Sequence, residues 1–198
     1  MNSSELNSRF DRLVKALTSK TIFVTMGDDP VYYFVFSPSD ALMIKRKLHI
    51  LEAKLRHEGY SPNFFSLGKH LHEFISKDEF YSAFVEFDRE HAFEFSQVNE
   101  SIKDTLKRGD HTVLDEWVIE QLEKIEELEN GVLILTDIEL LHPYAKIGRI
   151  EANLQGKVNV PIIVMYPGTR TSRYGLKFLD FYPPDGNYRS IHIGGNAE

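Results

Sequence analysis

Val160-Pro161-Ile162-Ile163-Val164-Met165 is an unbroken apolar run rich in β-branched residues. A run of this kind reads as a strand buried on both faces, the mark of a parallel sheet covered by helices. Val31-Tyr32-Tyr33-Phe34-Val35-Phe36 and Val132-Leu133-Ile134-Leu135 have the same character, so three such strands define the centre of a three-layer core. The first run leads into Tyr166-Pro167-Gly168. Proline fixes φ and removes a donor, and glycine frees the backbone, so the strand is expected to stop there and turn. Open α/β sheets bind at the carboxyl ends of their strands, which makes the loop leaving this strand the natural place for recognition.

The remaining periodicities supply the outer layers. Phe10, Leu13, Val14 and Leu17 predict an opening amphipathic helix, residues 21–26 an extended segment, and Gly27-Asp28-Asp29-Pro30 a turn. After Ser37-Pro38-Ser39-Asp40, the residues Ala41, Ile44, Leu48, Leu51 and Leu55 fall on one helix face, Gly59 ends that helix, and a short strand follows at residues 63–67. Phe80, Phe84, Phe87, His91 and Phe95 form a helical aromatic stripe, read as packing against the sheet or, alternatively, as a ridge for a partner protein. A helix at residues 97–107 stops at Gly109. Thr112 with Asp115 then starts an acidic helix with inner residues Leu114, Trp117, Val118, Leu122, Ile125 and Leu128, ended by Asn130-Gly131. A helix over residues 144–154 follows His142-Pro143 and completes a second βαβ unit. Residues 176–181 and 188–193 read as an antiparallel pair across Tyr182-Pro183-Pro184-Asp185-Gly186-Asn187. The expected fold is a single α/β domain over residues 1–198: three layers, a mainly parallel sheet flanked by helices, P-loop/Rossmann-like topology without a phosphate-binding loop, and a closing antiparallel strand pair.

Composition removes several chemistries. The chain has no cysteine, which excludes disulfides, thiolate nucleophiles and cysteine-held metals. Its net charge is −7, of which −6 lies between Asp115 and Glu129, against a general basic field for nucleic acid. No signal peptide or membrane span is read, so a cytoplasmic protein is expected. The turn after the first strand has no glycine, and the one Gly-Lys pair, Gly68-Lys69, is followed by His70 rather than Ser or Thr. ATP binding through a phosphate loop is therefore not expected. Asp137 and Glu139 lie where an α/β nucleotidase would place metal-binding carboxylates, but capping or loop chemistry explains them as well. His70, His72 and Glu73 miss the metalloprotease pattern, which needs a second histidine four positions after the first on the same helix face, because position 76 is Ser76. No serine nucleophile elbow exists. The reading is a non-enzymatic protein with no catalytic residue, cofactor or metal.

Residues 168–177 remain as the candidate surface. Tyr166, Gly168, Arg170, Arg173, Tyr174, Lys177, Tyr188 and Arg189 combine arginine with tyrosine, which suits hot spots of protein recognition or phosphate contact with base stacking, and equally a solvated loop.

With Tyr166-Pro167-Gly168, Tyr174-Gly175-Leu176-Lys177-Phe178 and Asn187-Tyr188-Arg189 in order, the chain resembles the BrxB family of bacterial BREX phage-defence systems over about residues 5–193. Ser37-Pro38-Ser39-Asp40 before its helix and the approach from His142-Pro143-Tyr144 to Val160-Pro161 fit the same resemblance. The resemblance implies a small cytoplasmic accessory protein encoded beside a methyltransferase, a large ATPase and the alkaline-phosphatase-like PglZ. It implies PglZ as the partner, with other BREX proteins possible, and carries over no catalytic residue. The alternatives are a nucleic-acid-contacting subunit using Arg170 and Arg173 and a cryptic metal-dependent enzyme using Asp137 and Glu139.

Overall fold

The computed structural model describes residues 2–19, 29–186 and 190–195. The extended segment expected at residues 21–26, the Gly27-Asp28 part of the turn, and Tyr188 and Arg189 lie outside these residues. In chain order the first elements are α1 (Ser3–Thr18), β1 (Val31–Phe36), a 3-10 turn at Pro38–Asp40, α2 (Ala41–His57), β2 (Ser61–Ser66), α3 (Leu67–Ser76), α4 (Tyr81–Glu90) and α5 (Phe95–Leu106). Next come β3 (Lys107–Arg108), β4 (His111–Thr112), α6 (Val113–Glu126), β5 (Gly131–Thr136), a 3-10 turn at Ile138–Leu141 and α7 (Ile147–Leu154). The last are β6 (Ile162–Arg170), β7 (Gly175–Phe178), β8 (Asp185–Gly186) and β9 (Ile191–Gly194).

The protein is α/β, with a mainly parallel sheet between two helical layers. The spatial order is β2-β5-β6-β1-β9, each neighbouring pair parallel, with Tyr33 of β1 opposite both Val164 of β6 and His192 of β9. Side-chain alternation divides the apolar strands between two cores. Tyr33, Val35, Leu135, Val164 and Tyr166 pack beneath α3, α5, α6 and α7. Tyr32, Phe34, Ile134, Ile163 and Met165 meet α1 and α2 on the other face. Among the described residues no helix is long and apolar enough to cross a membrane.

Four details differ from the sequence expectation. First, β2 spans Ser61–Ser66 rather than residues 63–67, and it is joined to β1 through α2 without being its neighbour. The wholly buried β5 and the mostly buried β6 lie between them, and the half-buried β2, carrying Pro62, takes the edge where a missing donor is tolerated. Second, β6 does not stop at Pro167-Gly168. Pro167 is its last residue opposite β1, and from Gly168 the strand continues against a new antiparallel partner, β7. Third, the closing antiparallel pair is β7 with β8, while β9 joins β1 in parallel and so completes the second side of that apolar strand.

Fourth, the aromatic stripe is broken. α4 ends at Glu90, and residues 91–94 reverse the chain so that α5 can bury Val98, Ile102 and Leu106. Phe84 and Phe87 pack on the core, whereas Phe80 and Phe95 are exposed. Two helix ends also shift. The acidic helix α6 stops at Glu126, which leaves Leu128 exposed, and α7 starts only at Ile147, because Tyr144 and Ala145 turn back to donate to the Leu141 carbonyl. The predicted start of α6 is present: Thr112 donates both its N–H and its hydroxyl to Asp115, at 2.6 and 2.7 Å. Asn153 of α7 donates to the other oxygen at 3.1 Å, so this buried carboxylate fastens two helices together.

Candidate functional site

Connections leave β1 and β6 in opposite directions. From β1 the chain crosses β6 and β5 to reach β2, and from β6 it passes to the far side of β1 to form β9. The carboxyl ends of β1 and β6 therefore flank the topological switch point, where open α/β sheets bind ligands. On the β1 side, Ser37 and Ser39 hydroxyls lie 2.9 Å apart across Pro38, and Asp40 holds the N-cap position of α2. Proline offers no amide to a phosphate, and a carboxylate at a helix N-terminus opposes the anion binding that such an end favours.

Beside this turn Lys45, in the second turn of α2, reaches across to the end of β5. Its ammonium lies 2.5 Å from Asp137 and 2.7 Å from Glu139. Asp137 adopts the left-handed region (φ 58°, ψ 31°), which aspartate tolerates, and also accepts the Ser66 hydroxyl at 2.5 Å and the Thr136 hydroxyl at 2.9 Å. Burial alone would push the Asp137 carboxyl up, but hydrogen bonds from Lys45, Ser66 and Thr136 outweigh it and hold it below the ordinary range. Burial likewise opposes the charge on Lys45, and its bonds to Asp137 and Glu139 reverse that and raise it. Lys45 thus stands between the two carboxylates where a bridging divalent cation would sit. Sequence reasoning missed Lys45, because its partners are 92 and 94 positions away and no local spacing announces them.

On the β6 side, residues 168–177 are largely an antiparallel hairpin, with Thr169 opposite Lys177 and Arg170 opposite Leu176. The tip is closed by the Thr171 amide donating to Gly175 at 2.9 Å. Tyr166 is 1% exposed, edge-on to Tyr33, and belongs to the core rather than to an open surface. Gly168 is buried in β6. Arg170 is half-buried and lies against β9, its charge acting on His192. Arg173 and Tyr174 are exposed at the tip, with the guanidinium 5.1 Å over the phenol ring, and Lys177 is half-buried. The hairpin therefore brings Arg173, Tyr174 and Lys177 onto one projection and assigns Tyr166, Gly168 and Arg170 to its foundation.

Two further features adjoin it. Tyr166, Phe178, Tyr182 and His142 line a cavity of about 40 Å³ with Lys146 and Asp185 in its wall. That space holds a water or a methyl-sized group and is an order of magnitude below a cofactor pocket. His142 Nε2 is hydrogen-bonded to the Tyr182 hydroxyl, and burial, then Lys146 and Lys103, keep its imidazole below the usual value. Between β7 and β8, Leu179 and Asp180 both have positive φ (52° and 61°), a conformation that costs of order 1–3 kcal/mol per residue when neither is glycine. This turn holds Phe181 outward, 67% exposed, against the Tyr182 ring. No motif marks Phe181 in the sequence.

His70 and His72 do not share a site. His70 stacks on Phe65 and its Nδ1 lies 3.1 Å from the Ser66 carbonyl, whereas His72 and Glu73 are exposed on α3. Among the described residues no three His, Asp or Glu side chains are grouped to hold a metal ion.

No curated protein and no solved structure matches the chain. The family model described as BREX protein BrxB matches residues 63–193, from β2 through α3–α7 to β9 and including the whole β6–β8 hairpin system. The match begins after β1 and α2, so it covers Asp137 and Glu139 but not Lys45. The chain therefore belongs to the BrxB family and is a component of a BREX phage-defence system.

Proposed function

We propose that this protein is a non-enzymatic adaptor of its BREX system, acting by protein–protein binding, and that PglZ is the partner held by the β6–β8 hairpins. The observation that carries this reading is the turn of consecutive left-handed residues that presents Phe181 to solvent against Tyr182, at one end of β7, with Arg173 and Tyr174 exposed together at the hairpin tip at its other end. Backbone strain of this kind persists only where its surroundings over-determine it, and an exposed aromatic beside a small cavity, with an exposed arginine–tyrosine pair on the same hairpins, has the composition of interface hot spots. The Lys45–Asp137–Glu139 cluster supports the non-enzymatic part: both its carboxylates are already engaged by one lysine, in a crevice whose first turn disfavours phosphate.

The test uses surface residues, since Arg170 is part of the foundation. An Arg173→Glu, Tyr174→Ala, Phe181→Ser variant expressed from its native operon is expected to stay folded, recover at least tenfold less PglZ on purification, and lose phage protection. Recovery of PglZ at wild-type yield with the folded variant overturns the assignment of this face.

A further inference from the structure

A second surface, on α4 and the turn into α5, has no role in that reading. α4 has no fully buried residue and no side-chain cap at its start. Around it Phe80, Phe93 and Phe95 are 58%, 93% and 61% exposed, and Tyr81 is exposed beside them. Scattered apolar exposure is ordinary, but several large aromatics at the two ends of one short helix are not. The charge here is as one-sided as the aromatics. From Asp78 to Glu100 there are seven carboxylates and a single arginine, Arg89. This stretch is therefore as acidic as residues 115–129, and outside the two the chain carries net positive charge.

The residues fall in an order. Ala83, Glu86 and Glu90 recur at three and four, which puts them on one exposed face of α4, and Glu79 is exposed in the turn just before the helix. None of these three glutamates is ion-paired with a described residue. Glu86 and Glu90 are a like-charge pair at i and i+4, which weakens a helix standing alone. Ala83 leaves room for a close approach at the centre of that face. Along the chain the exposed residues thus read aromatic, carboxylates, aromatic.

We infer that this face is a docking site for a cationic amphipathic segment of another protein, with Lys or Arg opposite Glu86 and Glu90 and apolar side chains over Phe80 at one end and Phe93 at the other. The charge sign selects this occupant. Nucleic acid and anionic membranes are repelled by seven carboxylates, and a neutral apolar partner would leave the glutamate pair desolvated without a counterion. The site is carried by elements different from the hairpins, so it does not depend on what those bind.

A designed helical peptide of about 18 residues made of Leu and Lys serves as the probe, with a Leu and Glu peptide of the same pattern as control. Titration calorimetry on the full chain is expected to show the cationic peptide binding and the anionic one not. The affinity is expected to fall at least tenfold in Glu86→Lys, Glu90→Lys, at least tenfold in Phe80→Ser, Phe93→Ser, and with salt raised from about 50 to about 300 mM. A Glu86→Gln, Glu90→Gln variant, which removes charge without reversing it, is expected to show the same loss in weaker form. Equal binding of the two peptides, or unchanged affinity in the folded variants, overturns the inference. So does sedimentation showing a wild-type dimer that the Phe80→Ser, Phe93→Ser variant abolishes, since the occupant would then be a second copy of the chain.

Discussion

Lys45 and His192 illustrate how single side chains of this molecule are held in one charge state. Burial, then the Arg170 guanidinium, push the His192 imidazole down to about 4, so the folded protein keeps it neutral where an unfolded chain, near 6.5, begins to take up a proton. Its contribution to stability is complete above that ordinary value and is lost as pH falls toward 4. Tyr33 packs edge-on to it at 5.6 Å and donates its hydroxyl to Glu151 at 2.5 Å. Burial pushes the Glu151 carboxyl up, so Glu151 acts in the opposite sense, favouring the fold in acid and losing that contribution as pH rises. His192→Phe is therefore expected to lose less melting temperature than wild type between about pH 7 and about pH 4.5. An equal loss in both proteins would show that His192 is not the group responsible. None of this is legible in the sequence. His192, Arg170 and Glu151 lie on three elements, and no spacing relates them. Only the apolar setting of Tyr33 and Ile193 was visible.

Among elements, the β6–β7 pairing sets the tightest tolerance. Gly168 has φ 159°, close to full extension, so its requirement is one of space: an added Cβ would lie 2.2 Å from the Lys177 carbonyl oxygen and 2.9 Å from the Tyr166 ring. Gly168→Val is expected to destabilise the protein by about 1–3 kcal/mol through forced separation of the two strands, measured as a lower denaturation midpoint; an unchanged midpoint would mean that β7 can move aside. The sequence pointed to this glycine but to a turn as its reason, because Pro167-Gly168 is turn chemistry in a strand that ends, and the second, antiparallel partner that extends β6 is a long-range fact. The same limit appears at α4. Spacing carried the aromatic stripe through residues 91–94, where the chain reverses for the sake of α5. By contrast β1, β5, α2 and the Thr112–Asp115 start of α6 were legible, since each is fixed by its own hydrophobic run or its own cap.

For the whole molecule, the parallel sheet and its two cores followed from three apolar runs, but the strand order did not, because pattern gives burial and not neighbours. The resulting switch point is the usual place for a nucleotide, and here it is built against one: Pro38 removes an amide, Asp40 places a carboxylate at the start of α2, and Lys45 engages Asp137 and Glu139. Calorimetric titration with MgATP is expected to give no dissociation constant tighter than roughly 100 μM, about −5.5 kcal/mol; a tighter one would reopen an enzymatic reading. The strand order also bears on how the protein is made. β1 is synthesised early, yet its two neighbours are β6 and β9, more than a hundred residues later. While the ribosome is still working through α3 to α7, β1 has six apolar residues and two bare edges with nothing to pair. A nascent chain of this design is exposed to aggregation, or dependent on a chaperone, for most of its translation, and its first strand is sheltered only when its last one emerges.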